Sequence, residues 1–294
     1  MVNVAVLGST GMLGSALIKY FENYEFSVHE FNRSGVSVNP KNECSEFDVT
    51  ETSSSIESLK KIKVDYIVNC VGLVKHLIDE KDANSKKLAH RVNADFPIAL
   101  NEYAKHQDIK IIQIGTDCVY SGETGNYSEN SPHNPVDIYG ITKNLGELAS
   151  TSSMILRCSI VGHELKSSNS LLSWVLSAPL NSQINGFINH FWNGVSTLHF
   201  AKIVSGIINS GTFKNGVFHL VPNDFLSKFE LISTIATAFG RVDLQINKFE
   251  TPTSVNRVLS TIDPEQNRSL WLAGGYTEIP TIRQMVLEYA AWSK

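Results

Sequence analysis

The stretch Gly8-Ser9-Thr10-Gly11-Met12-Leu13-Gly14, set directly behind the apolar run Val4-Ala5-Val6-Leu7, constrains this chain more than any other feature. A short apolar run that ends in glycine reads as a buried strand. The glycines let it turn tightly into a helix whose first N–H groups have no partner. Such a helix start, with its positive dipole end, suits a pyrophosphate, and Gly-x-x-Gly-x-x-Gly behind a strand is a variant of the dinucleotide fingerprint. Gly8, Thr10, Gly11, Met12 and Leu13 are the expected contacts.

Further along, apolar strands alternate with helical patterns: Val28–Phe31, Tyr66–Cys70 and Ile111–Ile114 against Gly11–Tyr20, Ile56–Lys60, Lys86–Val92 and Phe96–His106. Right-handed βαβ crossovers turn that alternation into a Rossmann-type, doubly wound parallel sheet in an α/β fold. Ile155–Val161 continues it as one more strand. Past Gly162 the rhythm loosens, with a helical Leu171–Ser177, a polar and aromatic Asn181–Asn193 and a late strand at Val217–Val221. The expected division is a dinucleotide domain over residues 1–165, with a return segment at about 195–215 that includes the helical Leu198–Asn209. A smaller C-terminal α/β substrate domain takes 166–194 and 216–294.

The end of the second strand decides which dinucleotide fits. An acid there bonds the ribose 2′-hydroxyl, whereas arginine accepts a 2′-phosphate. Here the strand runs into Asn32-Arg33-Ser34, with no carboxylate and a planar donor fork. NADPH is therefore favoured and NADH kept open, although an arginine in such a place is otherwise an ordinary solvated residue. By position, Asp48 and Val49 border the adenine, and Cys70, Val71 and Gly72 back the dinucleotide.

Tyr139-Gly140-Ile141-Thr142-Lys143 carries the second signal. Four residues apart on a helix, tyrosine and lysine share a face. A free phenol titrates near 10, so an adjacent ammonium is expected to favour the phenolate and make Tyr139 a usable proton relay. Lys143 can also bond the nicotinamide ribose. Thr116 follows the strand Ile111–Ile114 at its C-terminal end, where ligands bind in open α/β sheets, and its hydroxyl can bond a carbonyl oxygen. Each residue alone is ordinary; the three in this order behind a glycine turn are a candidate catalytic set.

Composition excludes other classes. A net charge of −4 with scattered Lys and Arg gives no footprint for nucleic acid or an anionic membrane, and leaves a small molecule as the default partner. Cys44, Cys70, Cys118 and Cys158 have neither CxxC spacing nor disulfide density, so reduced thiols and a cytoplasmic setting are expected, with no metal site. No apolar run reaches the roughly 18 residues of a membrane span. The first strand begins at about Val2, leaving no room for a signal peptide. A homodimer is compatible with all of this, and nothing decides for it.

Taken together with Val92-Asn93-Ala94, Gly115-Thr116-Asp117-Cys118-Val119-Tyr120-Ser121-Gly122, Gly146-Glu147 and Leu156-Arg157-Cys158-Ser159, the chain resembles an extended short-chain dehydrogenase/reductase. Within that group it is most similar to the dTDP-4-dehydrorhamnose reductases, well over the first 165 residues and loosely beyond. The resemblance implies that Thr116, Tyr139 and Lys143 form the catalytic triad. Tyr139 would protonate the C4 oxygen of a nucleotide-linked 4-keto-6-deoxy sugar while the nicotinamide delivers hydride to C4. Asp117 and Cys118 would border the sugar. The aromatic that these reductases place after the Leu-Arg strand is Ile160 here. Related dehydratases carry Asp then Glu after the active-site threonine; Asp117 is followed by Cys118, which removes one carboxylate and favours plain reduction. Epimerases use a longer C-terminal region. A catalytically silent dinucleotide-binding regulatory subunit is the remaining alternative. Of the substrate half, Trp192 within Phe191-Trp192-Asn193-Gly194 can stack on a ring, as Asn185-Gly186-Phe187 can, and Arg257 can bond a diphosphate.

Overall fold

A computed structural model describes residues 1–148, 152–165 and 168–294. Its centre is a parallel sheet of seven strands: β1 (Val2–Leu7), β2 (Phe26–Asn32), β3 (Glu43–Glu46), β4 (Tyr66–Asn69), β5 (Lys110–Gly115), β6 (Ser153–Arg157) and, later, β11 (Gly216–His219). The spatial order is β3-β2-β1-β4-β5-β6-β11. Chain order reverses between β1 and β4, which opens a crevice at their C-terminal ends.

Strand β1 shows why the sheet is covered on both sides. Val4 and Val6 enter one core with Leu17, Phe200 and Val204. Ala5 and Leu7 point oppositely, into a second core with Phe31, Phe96 and Leu100. A strand buried on both faces needs an unbroken apolar run, which is what Val4–Leu7 supplies. Helices α1 (Met12–Phe21) and α7 (Thr197–Ser210) pack together over the first core. Helices α2 (Thr52–Leu59) and α4 (Phe96–Lys105) cover the second. Between α3 (Ala83–His90) and α4 the chain makes a π turn over Arg91–Asp95, against which α5 (Ile138–Leu148) lies. A Cβ on Gly146 would collide with the Asn93 carbonyl, so glycine lets α5 seat that closely.

The second group of elements holds β7 (Ile160–Val161), α6 (Leu171–Ser177), β8 (Gln183–Phe187), β9 (His190–Trp192), β10 (Val195–Ser196), β12 (Leu226–Ser227), α8 (Lys228–Ala238), β13 (Gln245–Phe249), β14 (Val255–Asn256), α9 (Pro264–Ala273) and α10 (Ile282–Trp292). β13 pairs with β8, while β9 lies between β12 and β14.

Three expectations change. The strand drawn over Ile155–Val161 is broken at Cys158-Ser159 into β6 and β7, because β7 leaves the main sheet to pair with β10. β11 falls inside the stretch 216–294 expected for the substrate half, yet it is the edge strand of the main sheet beside β6. The same stretch sends α9 back to pack on α7. No helix among the described residues is long and apolar enough to cross a membrane.

Candidate active site

The glycine turn is built for close backbone approach. Gly8 has φ +79°, and a Cβ on Gly14 would strike the Gly8 backbone, so both positions require glycine. The Gly8 amide donates to the Phe31 carbonyl at 2.8 Å, tying the turn to the end of β2. Gly11 is exposed at the N-cap of α1 and supplies no capping side chain, so the first N–H groups of α1 face the crevice uncapped. Thr10 and Met12 flank this point half-buried, whereas the Leu13 side chain is in the core.

At the end of β2, Asn32 is buried and fully engaged. Its amide donates to Ser9 Oγ at 2.9 Å and to the Val36 carbonyl at 2.9 Å, and its oxygen accepts from Ser34 N and Oγ. Asn32 therefore shapes the loop, and the groups it presents outward are Arg33 and Ser34, both exposed. Asp48 is exposed with its carboxylate held by Thr50, and Val49 is buried beneath it. Beyond β4, Val71 N donates to Asn69 Oδ1, and the Cys70-Val71-Gly72 strip lies against Gly8, whose Cβ would touch Val71. Asn93 clamps this strip to α5, bonding both the amide and the carbonyl of Leu73 and donating to Thr142 Oγ1 at 3.1 Å.

Thr116 stands at the end of β5, where its hydroxyl accepts from Cys118 N at 3.2 Å and caps the turn Asp117–Val119. Helix α5 begins against that turn. A Cβ on Gly140 would meet the Cys118 carbonyl, and the buried Asp137 accepts from Gly140 N at 2.8 Å while pairing with Lys75. The phenol of Tyr139 is hydrogen-bonded to the hydroxyl of Thr116. Lys143, one helical turn on and 6 % exposed, donates to the Ile114 carbonyl at 3.0 Å.

The electrostatics differ from the expectation. Tyr139 is held above the ordinary phenol value, first by burial and then by Cys118, Asp117 and Asp137, with the Thr116 hydrogen bond pulling the other way. Lys143 is lowered by burial, opposed by Glu147. The ammonium bonds the Ile114 carbonyl, and the phenol stays above its ordinary value with the lysine one helical turn away. Asp117 is raised by burial against Arg257 and Lys228, and Cys118 is pushed up to about 12. The thiol is thus no base at neutral pH.

Two of the expected substrate contacts are placed differently. Trp192 is 4 % exposed, its indole N–H donating to Ser159 Oγ at 2.8 Å, so it forms the wall behind the site. Arg257 does reach the catalytic turn, but its Nε and Nη2 donate to the carbonyls of Tyr120 and Ser121 at 2.9 and 3.1 Å. It braces the turn and feels Asp117 and Asp137.

Two further features emerge only once the chain is folded. A buried ion pair, Arg157–Glu147, joins the end of β6 to α5 and recruits Tyr120, His133 and His219. Arginine only donates, so the Nε2 atoms of both imidazoles accept, and their Nδ1–H groups donate to Asn144 and to the Ser260 carbonyl. Both histidines are held neutral, below their ordinary value, by burial and the guanidinium. Only the pairing of an acid on α5 with a basic strand end hinted at this. The second is Lys228 at the start of α8, lining a pocket of about 640 Å³ with Trp174, Phe187, His190 and Phe249. Its signal was the Ser227-x-x-Glu230 capping box, which marks a helix start but says nothing of a site. A polar cavity of about 670 Å³ also exists, at the N-terminal edge of the main sheet, and none of the candidate residues line it.

A crevice at the strand-order reversal, a glycine turn into an uncapped helix and Thr116–Tyr139–Lys143 beside it define a protein of the short-chain dehydrogenase/reductase type. The chain belongs to the RmlD substrate binding domain family, whose model matches residues 2–266. Among relatives, the "Probable low-salt glycan biosynthesis reductase Agl14" of Haloferax volcanii is 31% identical over 163 residues, 53% of this chain and 52% of the relative. The chain thus spans about half the length of that relative. Methionine adenosyltransferase 2 subunit beta of Xenopus laevis is 24% identical over 246 residues, 80% of this chain and 71% of that protein. Among solved structures, dTDP-4-dehydrorhamnose reductase of Bacillus anthracis, in complex with NADP, superposes with a TM-score of 0.79 at 18% identity over 100% of both chains. At that identity the likeness is one of fold.

Proposed function

We propose that this chain reduces the C4 carbonyl of a nucleotide-linked 4-keto-6-deoxy sugar with NADPH. The observation that carries the reading is the Tyr139 phenol of α5 hydrogen-bonded to the Thr116 hydroxyl at the end of β5, with Lys143 one helical turn further on. The residues fit a dinucleotide: Gly14 leaves room where a Cβ would clash, the start of α1 is open, and Arg33 and Ser34 are exposed where a 2′-phosphate would lie. The nicotinamide, when bound, supplies the hydride. Thr116 orients the carbonyl oxygen by donating to it. Tyr139 donates its proton to that oxygen, and its raised value keeps the phenol protonated through neutral pH, as an acid in reduction must be. Lys143 fixes α5 to β5 and holds a positive charge below the site. The pocket under α8 offers aromatic walls for a nucleotide base.

A second reading, a regulatory subunit without turnover, is favoured by one observation: the adenosyltransferase subunit matches over 80% of the chain. The discriminating experiment is NADPH oxidation by the purified protein across a panel of nucleotide-linked 4-keto-6-deoxy sugars, with Tyr139→Phe as control. Turnover that falls by roughly two to four orders of magnitude in the variant, with cofactor affinity kept, supports the reductase. Cofactor binding with no turnover on any member supports the subunit, and equal turnover by Tyr139→Phe removes the phenol from the chemistry.

A further inference from the structure

Lys228 is the first residue of α8, held there by the reciprocal bonds of Ser227 and Glu230. Of the described residues lining the 640 Å³ pocket, it is the one lysine or arginine; the others are mainly aromatic, aliphatic or amide groups. Its Nζ stands 5.6 Å from the ring centroid of Trp192, the indole anchored on Ser159 at the break between β6 and β7. No carboxylate among the described residues lies within ion-pair distance of Nζ. Its opposite charge, Asp117, belongs to the catalytic turn and acts from further away. The ammonium therefore sits between an aromatic pocket and the Thr116 turn with its hydrogen-bonding capacity open, and burial lowers it to about 8. An amine left in that condition stabilises nothing by itself; it is a group waiting for an anion.

We infer that Lys228 binds the diphosphate of a nucleoside diphosphate moiety whose base lies in the aromatic pocket, and that it sets the preference of this site for diphosphate-linked substrates. This rests on the nucleotide-sugar reading above. The neighbouring charged groups are consistent with it. Cys118 is a neutral thiol, His190 is lowered by burial and bonded to Thr251, and Arg257 is committed to carbonyls of the catalytic turn. On α8 itself Glu230 is bound to Ser227. Among the described residues Asp117 is the one acid facing the amine, and Arg257 faces that acid as well as Lys228 does. A dianion placed beside Nζ reverses the effect of burial and returns the amine to its charged form. Binding above neutral pH then takes up a proton.

The test is calorimetric titration of the full chain with UDP and dTDP, and with uridine and thymidine as uncharged controls. Runs at about pH 8.5 in two buffers of different ionisation enthalpy count the protons. Wild type is expected to bind one or both diphosphates with uptake of most of one proton, and the nucleosides far more weakly. Lys228→Met is expected to lose roughly ten- to a hundred-fold in diphosphate affinity and the proton uptake with it, and Lys228→Arg to keep the affinity. NADPH affinity is expected unchanged in both variants. Diphosphate binding by wild type without proton uptake, or equal binding by Lys228→Met, overturns the role of Lys228 and leaves the reductase reading standing. Failure of wild type to bind either diphosphate overturns both. The proton count is made on wild type, so it decides the matter even if Lys228→Met does not fold.

Discussion

Glu147→Gln tests whether the buried ion pair is what holds the catalytic helix to the sheet. Arg157 is 1 % exposed, and in the variant its charge loses the one anion paired with it among the described residues. The hydrogen-bond geometry survives, since the glutamine oxygen still accepts and Tyr120 and His219 remain at 2.6 and 2.7 Å. Neither histidine can compensate, because both already accept from the guanidinium as neutral rings. The loss is therefore mostly uncompensated charge, at the lower end of the range for breaking a buried pair, about 3 kcal/mol. For a domain of this size that lowers the melting temperature by roughly 6–12 °C. Thermal denaturation followed by circular dichroism at pH 7 reads it directly. The Glu147→Met/Arg157→Met double variant should lose clearly less than the sum of its single changes, because it removes the orphan charge as well. A fall of less than about 2 °C in Glu147→Gln, or strict additivity in the double variant, would refute the reasoning.

Arg33→Ala should lower the preference for NADPH over NADH by roughly ten-fold or more, the value of one charge-assisted contact to a 2′-phosphate; steady-state efficiencies with the two cofactors check it, and an unchanged ratio places Arg33 outside the site. Stability should also respond to acid. His219 and His133 are neutral in the folded protein with values below the unfolded 6.5, so the unfolded chain takes up protons first and stability is lost as pH falls below about 6.5. Urea titrations between pH 7.5 and about 5 should show that decline, and a flat profile would mean that these rings ionise normally in the fold.

Much of the dinucleotide half is legible because its signals are local. A strand, a turn that only glycine can make and a helix start occupy consecutive residues, and Tyr139 and Lys143 share one helical face. What escaped the sequence is what the fold brings together across distance. Asn32 was placed at the cofactor by position, but its amide is committed to Ser9, Val36 and Ser34, leaving Arg33 and Ser34 to face outward. The phenol was expected to be acidified by Lys143; burial and the neighbouring Cys118, Asp117 and Asp137 raise it instead, and the lysine bonds a backbone carbonyl. Trp192 reads the same in sequence whether it stacks on a ligand or walls a core. Lys228 reads as an ordinary helix-start lysine until α8 is folded against the catalytic turn more than a hundred positions earlier in the chain.

The measurement closest to the central claim follows the hydride itself. Wild-type protein is supplied with NADPH deuterated at the transferring position and a nucleotide-linked 4-keto-6-deoxy sugar, and the product is read by NMR. The account predicts stoichiometric oxidation of the cofactor, with deuterium at C4 of a 4-hydroxy product. Deuterium at any other carbon, or a protein that binds NADPH yet leaves every such keto-sugar unreduced, would contradict it.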